Sequence, residues 1–381
     1  MRILSAILAT GLLALAGCTS WNPLVAVGIL AEPANKPTPL GPVKSTIALK
    51  AAWTVPVGKS GGYAFRPGYE GGRIYAAAAD GTITILDEDG RVSSRIDTKK
   101  KLSGGLVATE GILIAGSLKG EIVALDLTGK TRWEAQVAGE VIAPASVSKK
   151  VAVVRTSDGR IFGLSLDDGK RTWVFQRASP ALLLRSSGGV LAIGGDVVAG
   201  YPNGKLIALD IDDGKLTWEV TVSVPRGSTE LERIADVAGL PLVDGANVCA
   251  VAFQGKVACF EIGSRTMIWS RDLSSSRPLA HDGRNLYLVD DSGAIHALDK
   301  ITGAGVWKQD KLLHRRLTEA VIADGQIVVG DGFGFLHVLA QGDGEIIGRL
   351  ATDGSPIQAL VPIKGGLLVQ TEGGSLVLVR L

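Results

Sequence analysis

The sequence predicts an all-β fold, an eight-bladed β-propeller whose ring is closed by strands from both ends of the chain. Three observations carry this. A glycine-opened motif recurs about every 40 residues, its strands are apolar on both faces, and the first tryptophan-tipped strand lacks the three strands that should precede it.

The motif is clearest in Gly120-Glu-Ile-Val-Ala-Leu-Asp-Leu-Thr-Gly-Lys-Thr-Arg-Trp133. A glycine opens a turn, an apolar run ends in Leu-Asp, a second turn carries Thr-Gly, and a polar strand closes on tryptophan. Copies open at Gly81, Gly120, Gly159, Gly204, Gly255, Gly293, Gly334 and Gly374, in steps of 39, 39, 45, 51, 38, 41 and 40. Five end on Trp133, Trp173, Trp218, Trp269 and Trp307; the first and seventh hold Ser94 and Gly348 instead, and the eighth stops at Leu381. In 121–125, Ile122 and Ala124 point one way and Val123 and Leu125 the other, so only a sheet packed between two sheets can bury both faces. The tryptophans read as wedges between blades. No helical periodicity follows the first residues.

Trp53 lies 80 residues, two periods, before Trp133 and belongs to an outermost strand without inner partners. Residues from about 350 to Leu381 supply three strands lacking an outer one, so joining the ends makes the eighth blade and removes the open edges.

The N-terminus reads as a secretory signal. Met1-Arg2 is followed by an apolar run from Ile3 to Ala16 and by Leu15-Ala-Gly-Cys18, which resembles a bacterial lipobox with Cys18 as the lipidated residue. Signal 1–17, lipidated Pro-rich tether 18–45 and propeller 46–381 are the expected domains. With Thr19 after the cysteine, the resemblance implies the periplasmic face of the outer membrane.

The steps of 45 and 51 place about 6 and about 12 extra residues between a tryptophan and the next glycine turn of consecutive repeats. One insertion contains Ser179-Pro-Ala-Leu-Leu-Leu-Arg185, the other Pro225 to Ala238. Insertions of a repeat array gather on one face, often the binding face. Leu182 and Leu184 beside Arg185 form a plausible interface anchor, and equally could be blade core.

Little in the chain suggests catalysis. Asp87, Asp126, Asp210 and Asp299 hold one slot of the repeat and read as turn residues bonding their own backbone. His281, His296, His314 and His337 show no zinc spacing, and Gly58-Lys-Ser60-Gly-Gly62 precedes no helix, so it is a loop rather than a nucleophile elbow. Net charge is +2 with only short basic clusters, Lys99-Lys100-Lys101 among them, which argues against nucleic acid. Cys249 and Cys259 flank the Gln254-Gly255 turn and face each other only if that hairpin loop is not two residues; two buried free thiols are the expectation, although the compartment permits a disulfide.

The repeat, as in Ala124 to Trp133, resembles that of the pyrroloquinoline-quinone dehydrogenases, but the chain lacks their adjacent cysteine pair, calcium site and length. Gly227-Ser-Thr-Glu-Leu-Glu-Arg-Ile-Ala-Asp-Val237, 285–290, 312–318 and 180–185 instead resemble the BamB family, the lipoprotein propellers of the outer-membrane β-barrel assembly machinery. This resemblance implies a non-enzymatic scaffold without cofactor or metal. It would be monomeric within a hetero-complex and bind the periplasmic domains of BamA, with unfolded barrel proteins as further partners. In that family a Leu-x-Leu-Arg run and an Asp-x-Asp pair carry the contact. Leu182, Leu184 and Arg185 match the first and Asp236 begins the second, whose other acidic position here holds Ala238. The competing functions are a periplasmic binder of glycan or small ligand and a quinone-dependent dehydrogenase.

Overall fold

Eight four-stranded antiparallel sheets follow one another around a ring in the computed structural model, which describes residues 35–178, 180, 182, 184, 185 and 188–381. The signal, Cys18, the tether up to residue 34, and Leu183 lie outside the described residues. Blades 1 to 7 span 68–97, 102–136, 146–175, 191–221, 242–271, 280–309 and 321–351, each with its strands in sequence order from inside to outside. Blade 8 is composite: Lys50–Pro56 pairs with Ser375–Arg380 as the outermost strand of a sheet whose other members come from 357–371. The ring therefore has no free lateral edge, as the displaced Trp53 predicts.

The two-faced strands account for the packing. Ile122 and Ala124 join Ala152, Val154 and Phe162 in the seam between blades 2 and 3. Val123 and Leu125, one residue out of phase, join Tyr75, Ile83 and Ile85 in the seam between blades 1 and 2. Such a cluster occupies each of the eight seams. No blade buries its own strands, so the ring is stable only when closed.

The tryptophans lock the outer half of each seam. The Nε1–H of Trp133 donates to the Leu166 carbonyl at 2.8 Å, and that of Trp173 to Ile211 at 2.7 Å, each in the outer turn of the next blade. The ring of Trp133 lies on Gly169, φ 72°, where a Cβ would come within 2.5 Å of it; the turn needs glycine for both reasons. The two blades without tryptophan have substitutes. Ile96, two residues beyond Ser94, approaches Gly129, and Ile47 and Leu49 cover Gly348.

Ile47 and Leu49 belong to a strap, 37–49, that descends the outside of blade 7. Thr38 N–H donates to Leu313 O and Thr46 N–H to Ile347 O, both at 3.0 Å, and Leu40 packs in the seam of blades 6 and 7. Arg315 donates to Thr38 O at 3.2 Å and Arg349 to Gly41 O at 2.9 Å.

The expectation of free thiols is wrong. Val251 pairs with Val257, leaving 252–256 as the connection, so Cys249 falls directly opposite Cys259 and the two form a disulfide within blade 5. The loop has the five residues 252–256 rather than two, and because it is centred on Gln254 it sets 249 opposite 259. The repeated aspartates do turn back on their own backbone: Asp126 Oδ1 accepts from Thr128 N at 2.9 Å and Lys130 N at 3.0 Å, and Asp299 Oδ1 from Thr302 N at 2.8 Å. Residues 58–62 form a loop between blades 8 and 1 with no helix after it.

Candidate functional site

In a blade of four antiparallel strands, the connections from second to third strand and from outer strand to the next blade's inner strand emerge at the same end. Both insertions, 176–190 and 222–241, are of this second kind, so they rise as neighbours on one face of the ring, across blade 4 from each other.

Leu182 is exposed there, with 45% of its surface accessible, and Leu184 is half-buried. Leu182 is thus not part of the blade core. Leu184 is tied to the second insertion: its N–H donates to Asp236 Oδ2 at 2.7 Å. Asp236 is itself buried, its Oδ1 accepting from Asn203 N at 3.3 Å and its carbonyl from Phe253 N at 2.9 Å. A buried carboxylate spanning two loops and a hairpin fixes their spacing, since each hydrogen bond to a charged acceptor is of the stronger kind. Arg185 extends outward, its side chain 59% exposed, with Nη2 3.0 Å from Glu140 Oε2. The tip of the second insertion is closed by Glu232, whose Oε2 accepts from Ser228 N at 2.8 Å and Thr229 N at 3.0 Å, and it leaves Leu231 exposed. Backbone donors to Glu232 hold its carboxyl below the usual range.

Beneath the run lies a cavity of about 30 Å³, the size of one water, bounded by Leu184, Asp236, Arg155 and Tyr201. The Arg155 guanidinium lies 5.2 Å from the centre of the Tyr201 ring, and burial pushes its pKa down against the attraction of Tyr201 and Asp236. Burial likewise pushes Tyr201 up to about 12, and its hydroxyl donates to Gly159 O. Sequence reasoning missed Arg155, Tyr201 and Glu140 as supports of the site. A signal was present for Arg155: it ends a strand, Val151–Arg155, whose other residues are all apolar.

The structure thus brings Leu184 and Asp236 into contact, with Leu182 and Arg185 presented to solvent beside them. The histidines lie elsewhere. His296 and His337, at the same place in blades 6 and 7, face Asp290 at 2.9 Å and Asp331 at 3.0 Å. Among the described residues no three His, Cys, Asp or Glu side chains converge as a metal site, and no helix is long and apolar enough to cross a membrane.

Comparison with known proteins adds to this geometry. The family model described as outer membrane protein assembly factor BamB matches residues 79–309. The chain is 43% identical to the outer membrane protein assembly factor BamB of Nitrosomonas eutropha, over 84% of this chain and 80% of that one. It is 37% identical to the protein of that name in Bordetella pertussis, over 98% and 96%. Among solved structures, BamB from Moraxella catarrhalis superposes with a TM-score of 0.82 at 25% identity, covering 88% of this chain and all of the other. The quinohemoprotein alcohol dehydrogenase of Comamonas testosteroni, with a TM-score of 0.69 at 11% identity, shares the fold alone.

Proposed function

The chain belongs to the family of the outer membrane protein assembly factor BamB, and from that membership we propose that it is a non-enzymatic scaffold in the assembly of outer-membrane β-barrel proteins. In this reading 1–17 is a removed signal and Cys18 carries the lipid that holds the protein at the periplasmic face of the outer membrane. The tether 18–45, whose residues from 37 on dock against blade 7 as the strap, leads to the propeller, 46–381. The partner is the BamA-like assembly protein, engaged through its periplasmic domains by Leu182, Leu184, Arg185 and Asp236. The observation that supports this most is the clamp between Asp236 and Leu184, because it ties the residue between an exposed leucine and a forked cation to the second insertion. Preorganised anchors of this sort spend less binding energy on ordering. Within the group, Leu182 supplies apolar area and Arg185 a bidentate donor, while Asp236 acts through the backbone it holds.

Leu184→Asp places a carboxylate beside that of Asp236, and Arg185→Asp reverses the exposed charge. Each is expected to abolish capture of the full chain by the partner's periplasmic domains and to leave thermal unfolding of the ring nearly unchanged. Capture at wild-type strength by both variants would show that docking occurs elsewhere.

A further inference from the structure

On the face that carries the insertions, the mouth of the central channel opens as a depression of about 540 Å³, continuous with Leu184 and Arg185 on one side and with Arg277, Arg316 and Glu319 on the other. Its charges are unequally satisfied. Glu319 Oε1 accepts from Arg66 Nη1 at 2.6 Å, and Glu372 Oε2 from Gln358 Nε2 at 3.1 Å. Asp291, behind the wall, accepts from Ser276 N at 3.1 Å and from the Ser274 hydroxyl. Glu319 is therefore paired with a cation, and Glu372 holds one amide donor. Among the guanidiniums of the mouth Arg185 is paired with Glu140, whereas Arg316 and Arg277 have no carboxylate partner among the described residues. Arg316 gives one donor to Gly332 O at 3.0 Å and rests on Phe333, leaving its other donors free. The Arg277 guanidinium makes no hydrogen bond or ion pair among the described residues, and its partial burial pushes its pKa down while Glu319 and Asp291 attract it only from a distance. The Arg277 guanidinium is half-buried and lines the depression, so a carboxylate entering there would meet donors that nothing in the ring uses.

We propose that this mouth is a second recognition site, which takes up side-chain carboxylates from an acidic segment of the assembly partner, with Arg277 as the principal donor and Arg316 flanking it. The inference rests on the docking reading above and deepens it: Leu182, Leu184 and Arg185 grip the partner at the rim, and an acidic stretch of the same partner enters the mouth. A carboxylate suits the site because the guanidinium fork binds its two oxygens in parallel, and Glu319, already held by Arg66, leaves that fork available.

The test uses the full chain and a synthetic octaglutamate peptide, with octaglutamine as control, followed by fluorescence anisotropy at low and at physiological salt. Octaglutamate is expected to bind with an affinity that falls as salt rises, octaglutamine not to bind, and Arg277→Gln to weaken the octaglutamate complex about tenfold. Arg277→Lys, which keeps the charge but not the fork, should fall between the two. Arg316→Gln should weaken the complex by a smaller factor, and it serves as the deciding variant should Arg277→Gln fail to fold. Equal binding of the two peptides, or an octaglutamate affinity untouched by the deciding variant, overturns the proposal. So does binding of phosphatidylglycerol vesicles that depends on Arg277 when octaglutamate does not bind, which would assign the mouth to lipid headgroups. Two further measurements separate this inference from the docking reading. Leu184→Asp is expected to lose the partner's periplasmic domains yet keep octaglutamate, and failure to lose them refutes the rim alone. Arg277→Gln should weaken capture of those domains; unchanged capture, with octaglutamate binding lost, refutes the assignment of the acidic segment to the partner.

Discussion

Replacing Asp331 by asparagine tests how the strap is held to the ring. Asp331 is fully buried at the hairpin of blade 7, where Oδ1 accepts from Phe333 N and Phe335 N, both at 2.9 Å. Its Oδ2 receives Arg315 Nε at 2.8 Å and His337 Nε2 at 3.0 Å. His337 in turn accepts from Arg349 Nε through Nδ1, and the two arginines reach the strap at Thr38 O and Gly41 O. Asparagine keeps the size and one acceptor but turns an NH2 toward Arg315 and His337, leaving a buried guanidinium without a counter-ion, a loss of about 3–5 kcal/mol. Blade 6 supplies an internal control. Asp290 accepts from Ser292 N at 3.0 Å and Ala294 N at 2.9 Å and faces His296 at 2.9 Å, but no arginine pairs with it among the described residues. Asp290→Asn should therefore cost only the weaker hydrogen bonds, about 1–2 kcal/mol. Urea unfolding followed by tryptophan fluorescence gives the two values, and hydrogen exchange at Thr38 and Thr46, whose amides dock the strap, gives the local effect. Equal losses in the two variants, or strap amides that exchange as slowly in Asp331→Asn as in the wild type, would show that the arginine network does not hold the strap.

Three more outcomes follow from the geometry. Gly169→Ala introduces both a strained φ and a Cβ 2.5 Å from the Trp133 ring, so it should destabilise by about 2–3 kcal/mol; Gly194→Ala, at φ 57° with open space around it, bears only the strain, about 1 kcal/mol, and urea midpoints that fail to separate the two would remove the wedge from the account. Burial first, and then Arg349 and Arg315, keep His337 below its usual pKa despite Asp331. The unfolded chain thus takes up a proton near pH 6.5 that the fold refuses, and stability falls as pH drops below that value, at up to about 1.4 kcal/mol per pH unit. Asp331, lowered in the fold, loses its contribution only below the ordinary carboxylate range. Hence unfolding at pH 7.5 and pH 5.0 should differ more in the wild type than in His337→Gln, and parallel slopes would refute the assignment. Asp236→Asn should weaken partner capture several-fold without altering its dependence on salt, because the lost acceptor orders Leu184 rather than meeting a partner charge; a flattened salt dependence would make Asp236 a direct contact.

What the sequence disclosed and what it hid divide along a physical line. Blade number, two-faced strands and ring closure were legible because each follows from a period or an alternation, and both are properties of one strand and its neighbours in the chain. The substitutes for the missing tryptophans were not legible. Ile96 sits two places off the repeat, and Ile47 and Leu49 arrive from a strap outside it altogether, so the space they fill is defined only in three dimensions. The disulfide turned on the length of one hairpin connection, which fixes whether two cysteines oppose each other. At the candidate site, counting residues located both insertions, yet it could not say that Asp236 points inward, since an aspartate in an inserted loop reads as solvated. Its burial changes the weight of the departure at Ala238. If the acidic pair met a partner by charge alone, losing one member would halve the interaction. With Asp236 instead bracing Leu184, the proposed recognition surface keeps its shape with an alanine, also buried, at 238, and under the proposed docking the attraction lost there is supplied by Arg185 at the rim and Arg277 at the mouth.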